Sequence, residues 1–188
     1  AGDSVAPTTI ASYKRIARKH VRPVIGAEKV TAIRPLHIEQ VLSQMKDAGK
    51  AGSTRKHAYI VMNRAFAQAV AWGIISRNPC DAVRSPRVES KEFTVLNEAD
   101  TGKLLQAIIG DRLEALYVMA IATGMRQGEL FGLQWGDIDF VAGTLSVRRK
   151  VVEVDNVFHV GEPKSRKGKR LIHLPAIAIE VLYEHRRR

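Results

Sequence analysis

A single cysteine, Cys80, stands among 188 residues. One thiol excludes an internal disulfide and any zinc centre built on several cysteines, and it fits a reducing cytoplasm. Aromatic residues are scarce at 6%, and no cluster of them falls on a strand-like segment. That removes the stacking platform on which RNA-binding domains lay their bases. Uninterrupted apolar runs stay well short of the roughly 20 residues of a membrane-spanning helix. Residues 1–9 lack the basic-then-apolar order of a secretory signal. No glycine-rich phosphate loop and no metal-spaced group of histidines or carboxylates occurs. Neither a metal nor a nucleotide cofactor is therefore expected, and neither a membrane nor a small-molecule substrate is expected as partner.

Negative charge is also in short supply. Thirty Lys and Arg face nineteen Asp and Glu, a net +11. A chain this basic attracts polyanions, above all nucleic acid. The excess is uneven: residues 1–90 carry 15 basic and 6 acidic side chains, residues 91–188 carry 15 and 13. The first half is the better candidate for a grip on a phosphate backbone.

Hydrophobic periodicity divides the chain. The first half reads as helices. Thr8 or Thr9 caps one that runs to about His20, with Ile10, Tyr13, Ala17 and His20 on one side and Lys14, Arg15, Arg18 and Lys19 on the other. Pro23 and Gly26 are expected to break it. Pro35 opens a second helix carrying Ile38, Val41, Leu42 and Met45. A third runs from Ser53 to about Trp72 on a stripe of Tyr59, Met62, Phe66 and Ala69, and Gly73 ends it. His57, Arg64 and Gln68 lie nearly opposite the stripe. Residues 84–92 are polar, contain Pro86 and show no periodicity, so the domain boundary falls there: a helical domain over 1–86, a linker over 87–92 and a second domain over 93–188.

The second half starts with helices over 98–109 and 112–122 and a short one ending near Leu133. Its period then switches to two. A strand is expected within 143–154, a second over 157–160 and a third over 170–174, before a last helix opened by Pro175. The fold class is thus an all-α domain, a small helical bundle, followed by an α+β domain with a small antiparallel sheet.

Two constellations carry chemistry. In Thr123-Gly124-Met125-Arg126-Gln127-Gly128-Glu129-Leu130, an arginine sits at the start of a short helix behind a glycine. A guanidinium there offers a planar fork to phosphate oxygens, and Glu129 faces it at i,i+3. The same spacing also describes a surface ion pair of little weight. In Pro163-Lys164-Ser165-Arg166-Lys167-Gly168-Lys169-Arg170, a basic loop joins two strand-like segments. It suits either a lysine that reaches into a groove as a proton donor or a solvated turn.

Taken together these segments resemble the tyrosine recombinases, the phage-integrase family. Ile121 to Leu130, with Leu133, Trp135 and Asp137-Ile138-Asp139 after it, resembles the family's first-arginine box. Pro163-Lys164-Ser165 running into Arg170-Leu171-Ile172-His173-Leu174-Pro175 resembles its catalytic-lysine hairpin. Ser53-Thr54-Arg55-Lys56, the long helix and Gly73-Ile74-Ile75-Ser76-Arg77-Asn78-Pro79 resemble the end of its SAM-like core-binding domain. The resemblance implies an enzyme that cuts one strand of duplex DNA with a tyrosine and rejoins it through a 3′-phosphotyrosyl link. It implies no cofactor, and several subunits assembled on DNA in the cytoplasm of a bacterial host. Arg126 would bind the scissile phosphate, Lys164 would protonate the leaving 5′ oxygen, and Glu129 would support Arg126. Implied phosphate contacts are Lys14, Arg18, Arg55, Lys56, Arg64, Arg84 and Arg87.

The family's later boxes are a His-x-x-Arg pair, a further His or Trp, and the nucleophile. His185-Arg186-Arg187-Arg188 matches the first of these formally, but it follows Lys164 by too few residues and sits at the solvated end of a helix. Tyr183, flanked by Ile179 and Leu182, reads as a packing residue. The nucleophile is therefore expected to be absent from these residues, leaving a partial catalytic domain. The competing readings are a non-catalytic, sequence-specific DNA-binding protein and a basic RNA-binding protein. His173, on a strand, reads as structural.

Overall fold

Proline opens two helices, at Pro7 and Pro35, where its missing N–H leaves no bond unmade. The computed structural model describes residues 5–89, 93–163 and 168–188. It divides into two units, Ala1–Phe93 and Thr94–Arg188.

In the first unit α1 (Pro7–Ile16) passes through a π turn (Ala17–Val21) into α2 (Arg22–Ile25). This departs from the expected break at Pro23. Proline removes one helical hydrogen bond and crowds the carbonyl four residues back; a wider turn just before it relieves both. Nor does Thr8 or Thr9 cap α1: its N-cap is Ala6, without a side-chain bond. Ile16 and Ile25 are the residues that this path buries. A 3-10 turn (Val30–Ala32) leads to α3 (Pro35–Asp47), then α4 (Gly52–Ala71). Ile38, Val41, Leu42 and Met45 of α3 meet Ala58, Met62 and Phe66 of α4 in one core. Gly73, at φ +72°, ends α4 in the left-handed conformation, and Ile74 N–H reaches back to the Ala69 carbonyl at 2.9 Å. The following segment folds back on α4. Asn78 Nδ2 donates to Asn63 Oδ1 at 2.5 Å, and the Tyr59 hydroxyl donates to the Cys80 carbonyl at 3.1 Å.

In the second unit α5 (Glu98–Ala107) is capped by Asn97, whose side chain accepts from Asp100 N–H at 2.8 Å. It is followed by α6 (Glu114–Thr123), α7 (Gln127–Leu130) and a 3-10 turn (Trp135–Asp137). Then come β1 (Ile138–Asp139), β2 (Thr144–Val147), β3 (Lys150–Val154), β4 (Val157–Gly161), β5 (Arg170–His173) and α8 (Ala176–Arg187). Among the described residues the expected single sheet is two. One is antiparallel in the order β1-β2-β5, the other is the antiparallel pair β3-β4. The strand expected within 143–154 therefore breaks at Arg148 and Arg149, and its halves join different sheets. The β3-β4 turn is made by Asp155 and Asn156, both at positive φ, the two-residue hairpin that these side chains tolerate. Leu145 and Val147 of β2 pack with Val118 and Met119 of α6 and Ala178 and Leu182 of α8. His173, read as structural, is exposed beside Leu171, while Ile172 turns inward. Among the described residues no helix is long and apolar enough to cross a membrane.

Candidate functional site

Glu129 is one of two buried charged residues among the described residues, at 3% exposure. Its position follows from the local sequence. Gly124, at φ +58°, stops α6, and its N–H closes on the Ala120 carbonyl at 3.1 Å. Met125 is buried and anchors the turn. Arg126, in extended backbone, is the N-cap of α7, and its side chain is 78% exposed. Glu129 Oε2 accepts from Arg126 N–H at 3.2 Å, and Oε1 accepts from Arg126 Nη1 at 3.0 Å. A second guanidinium comes from β5: Arg170 Nη2 donates to Oε2 at 3.0 Å, while its Nη1 donates to the Gly168 carbonyl at 3.3 Å. Burial alone pushes the Glu129 carboxyl up; the hydrogen bonds from Arg170 and Arg126 outweigh it and hold the group below the usual carboxylate range.

Beneath this cluster α7 lies directly on β3. A methyl group at Gly128 would stand 2.7 Å from the Val151 carbonyl oxygen, and one at Gly132 would stand 3.1 Å from that of Arg149. The two glycines, four apart, let the helix approach the strand this closely. Asp137, the other buried charge, accepts from both terminal nitrogens of Arg149 and from Gln134 N–H at 3.0 Å.

The i,i+3 partnership of Arg126 and Glu129 expected from spacing is thus present. Lys164 lies outside the described residues. Sequence reasoning misses Arg170 and the Asp137–Arg149 pair. In sequence Arg170 is one of several basic residues around the loop, and nothing local marks it as the one that meets Glu129.

The candidate phosphate contacts separate into groups in the first unit. Lys14 and Arg18 are exposed on the helical run α1 and its π turn, and Lys56 is exposed on α4. Arg64 is engaged within the fold: Nη1 donates to the Tyr13 hydroxyl at 2.7 Å, with the guanidinium 5.8 Å from the Tyr13 ring centre. The His57 ring meets the same tyrosine edge-on at 5.9 Å. Arg55 and Arg84 come together, with Ser43, Lys46 and Glu39, around an open cavity of about 280 Å³. Arg55 Nε is buried without a hydrogen-bond partner among the described residues. Arg87 is exposed close by: a methyl group at Gly52 would stand 2.5 Å from its carbonyl oxygen. Sequence reasoning also misses Lys46, because it reads as an ordinary last-turn lysine of α3.

The model of the phage integrase N-terminal SAM-like domain matches residues 3–46. A tyrosine recombinase XerC-like protein of Caldanaerobacter subterraneus subsp. tengcongensis is 29% identical over 97% of this chain and 51% of its own length. Over nearly its whole length the chain is similar to tyrosine recombinases of the phage-integrase family. Two solved integrases share its fold. That of the Tn1549 transposon, in complex with a circular intermediate DNA, aligns with a TM-score of 0.82 at 21% identity, covering 97% of this chain and 60% of that one. The lambda integrase tetramer bound to a Holliday junction aligns at 0.67 and 24%, covering 85% and 46%. The chain spans about half the length of the curated recombinases it matches.

Tyr183 and His185 are exposed on α8, Tyr183 at 49%. The Tyr183 ring lies 4.5 Å from that of Phe140, and the His185 ring 6.0 Å from that of Trp135. Arg188 Nη2 is 3.7 Å from Glu114 Oε2.

Proposed function

We propose that this chain supplies the DNA-gripping unit and the first-arginine part of the catalytic unit of a site-specific recombinase. On this reading the enzyme cuts and rejoins duplex DNA through a 3′-phosphotyrosyl link, and the late catalytic residues and the tyrosine nucleophile are not among these 188 residues. The observation that carries it is the exposed Arg126 guanidinium braced by the buried Glu129 carboxylate. A cation fixed before the reaction stabilises charge developing on a phosphate without reorganising during it, and such preorganised charge is commonly the largest single contribution to catalysis. Arg126 binds the scissile phosphate, Glu129 steadies Arg126, and Lys164 protonates the departing 5′ oxygen. The covalent link conserves the energy of the phosphodiester, so the reaction draws on no cofactor.

Lys14, Arg18, Arg55, Lys56, Arg84 and Arg87 position the first unit, over 1–86, on the DNA backbone, to which Arg64, held by Tyr13, adds less, with 87–92 as linker to the catalytic part over 93–188. Phosphate contacts of this kind give register rather than sequence choice. Further copies join on the DNA, in the cytoplasm of the cell that carries the element.

The test is binding of this chain to a pool of random duplexes across a salt series. A steep fall of affinity with salt and one enriched half-site support the recombinase reading. Binding that ignores salt contradicts a phosphate grip. To separate a recombinase from a non-catalytic binder, the parent protein is offered its site in a nicked duplex. A covalent protein–DNA adduct that disappears with Arg126→Ala supports the assignment; an adduct unaffected by that change refutes it.

A further inference from the structure

Two guanidinium groups share one buried carboxylate, and they are unequally exposed. Arg126 and Arg170 each donate to Glu129 at 3.0 Å, one to each oxygen. Side-chain exposure is 78% for Arg126, 30% for Arg170 and 4% for Glu129. We propose that Arg170 is a positioning residue of the recombinase site, which fixes the direction of the Arg126 guanidinium through Glu129 and keeps its charge available to a phosphate. The proposal rests on the reading of Arg126 as the phosphate-binding group.

The charges make the case. Arg126 and Glu129 alone form a neutral pair, so a phosphate approaching the exposed guanidinium would also meet a carboxylate just behind it. Glu129 is buried, so water screens that repulsion poorly. Arg170 adds a positive charge on the carboxylate's other oxygen, and the cluster becomes +1 with its exposed end towards solvent.

The geometry agrees. A carboxylate held by one partner can turn; here both oxygens are assigned. Oε2 takes Arg170 and the Arg126 N–H, which leaves Oε1 for the Arg126 side chain. Arg170 is mounted rigidly, since its backbone pairs with the buried Val147 of β2. Its second nitrogen holds the Gly168 carbonyl at 3.3 Å. Gly168 in turn abuts Pro163: a methyl group at 168 would stand 2.5 Å from the proline Cβ. Arg170 thus links the contact between Gly168 and Pro163 to the carboxylate that aims Arg126.

Arg170→Gln, Arg170→Lys and Arg126→Ala in the parent recombinase test this, read as single-turnover cleavage of a nicked duplex, affinity for that duplex and thermal midpoint. Arg170→Gln is expected to slow cleavage by about 10²-fold, the scale of a misplaced catalytic group, with duplex affinity almost unchanged. Arg170→Lys keeps the charge but not the fork, and recovers part of the rate. In the 188-residue chain, carbon-detected NMR should find Glu129 titrating higher in Arg170→Gln than in the native protein. Native cleavage in Arg170→Gln, while Arg126→Ala abolishes it, overturns the role of Arg170 and leaves that of Arg126 standing. Native cleavage in Arg126→Ala overturns the reading beneath both. A rate that falls only in step with the thermal midpoint, with no recovery by lysine, reduces Arg170 to a structural residue.

Discussion

Asp137 and Arg149, twelve residues apart, meet through both guanidinium terminal nitrogens, and Arg149 also donates to the Gly132 carbonyl at 3.4 Å. The pair ties the turn before β1 to the break between β2 and β3. Asp137→Ala strands a cation whose side chain is only 23% exposed. A loss of about 3 kcal/mol is expected, the lower end for breaking a buried pair because Arg149 keeps some contact with water. Urea unfolding measures it; a loss below about 0.5 kcal/mol would show that the pair behaves as a surface one.

Gly128→Ala should destabilise the second unit by about 1–3 kcal/mol, because its methyl group meets the Val151 carbonyl oxygen at 2.7 Å and α7 must lift from β3. Gly102, inside α5, offers open space: a methyl group added there meets nothing within 4 Å. Gly102→Ala should instead stabilise by about 0.5–1 kcal/mol. Differential scanning calorimetry of the two variants should shift in opposite directions; a shared direction contradicts the packing argument.

Acid should act through Glu129. Its folded pKa lies below its unfolded value. The stability it contributes is therefore fully present above the unfolded value, about 4.3, and is lost as pH falls through the folded one. Melting temperatures of the native chain and of Glu129→Gln, followed from pH 7 down to strongly acidic conditions, should converge as pH falls. A constant gap between the two curves argues against ionised Glu129 as the source.

The arginines of the first unit should divide by their partners. Arg55→Gln and Arg84→Gln remove cations around the open cavity and should each lower the slope of log K against log salt by about 1, with duplex affinity. Arg64 is held by Tyr13. Arg64→Gln should lower the melting temperature and change that slope less. Equal slope changes at all three positions would mean that Arg64 leaves Tyr13 to reach the DNA.

Legibility follows the range of the interaction. The stripes of α3 and α4 can be read because each helix meets its core on one face: Ile38, Val41, Leu42, Met45, Met62 and Phe66 are all buried. The phase slips at one point. Ala58 rather than Tyr59 is fully buried, since a tyrosine hydroxyl needs a partner and finds the Cys80 carbonyl at the margin. Ile16 escapes the pattern because the apolar side of that helix is read one residue out of phase, through Ala17, which is only half-buried. β2 and β3 cannot be told apart in sequence, because alternation continues through Arg148 while their sheets are chosen by pairing with β5 and β4. In the candidate site, Arg126 and Glu129 are one helical turn apart and announce each other. Arg170 is 41 residues from Glu129, and no local period connects them.

The arrangement around Glu129 also sets what loss of Arg126 would mean for a cell. Arg126 projects into solvent, and when it is replaced the buried carboxylate still has Arg170. On the proposed reading, a protein altered there stays folded and still occupies its site on the chromosome. It is then not merely idle: by filling places in the assembly it would poison the work of intact copies, so a single altered gene would be dominant over a normal one.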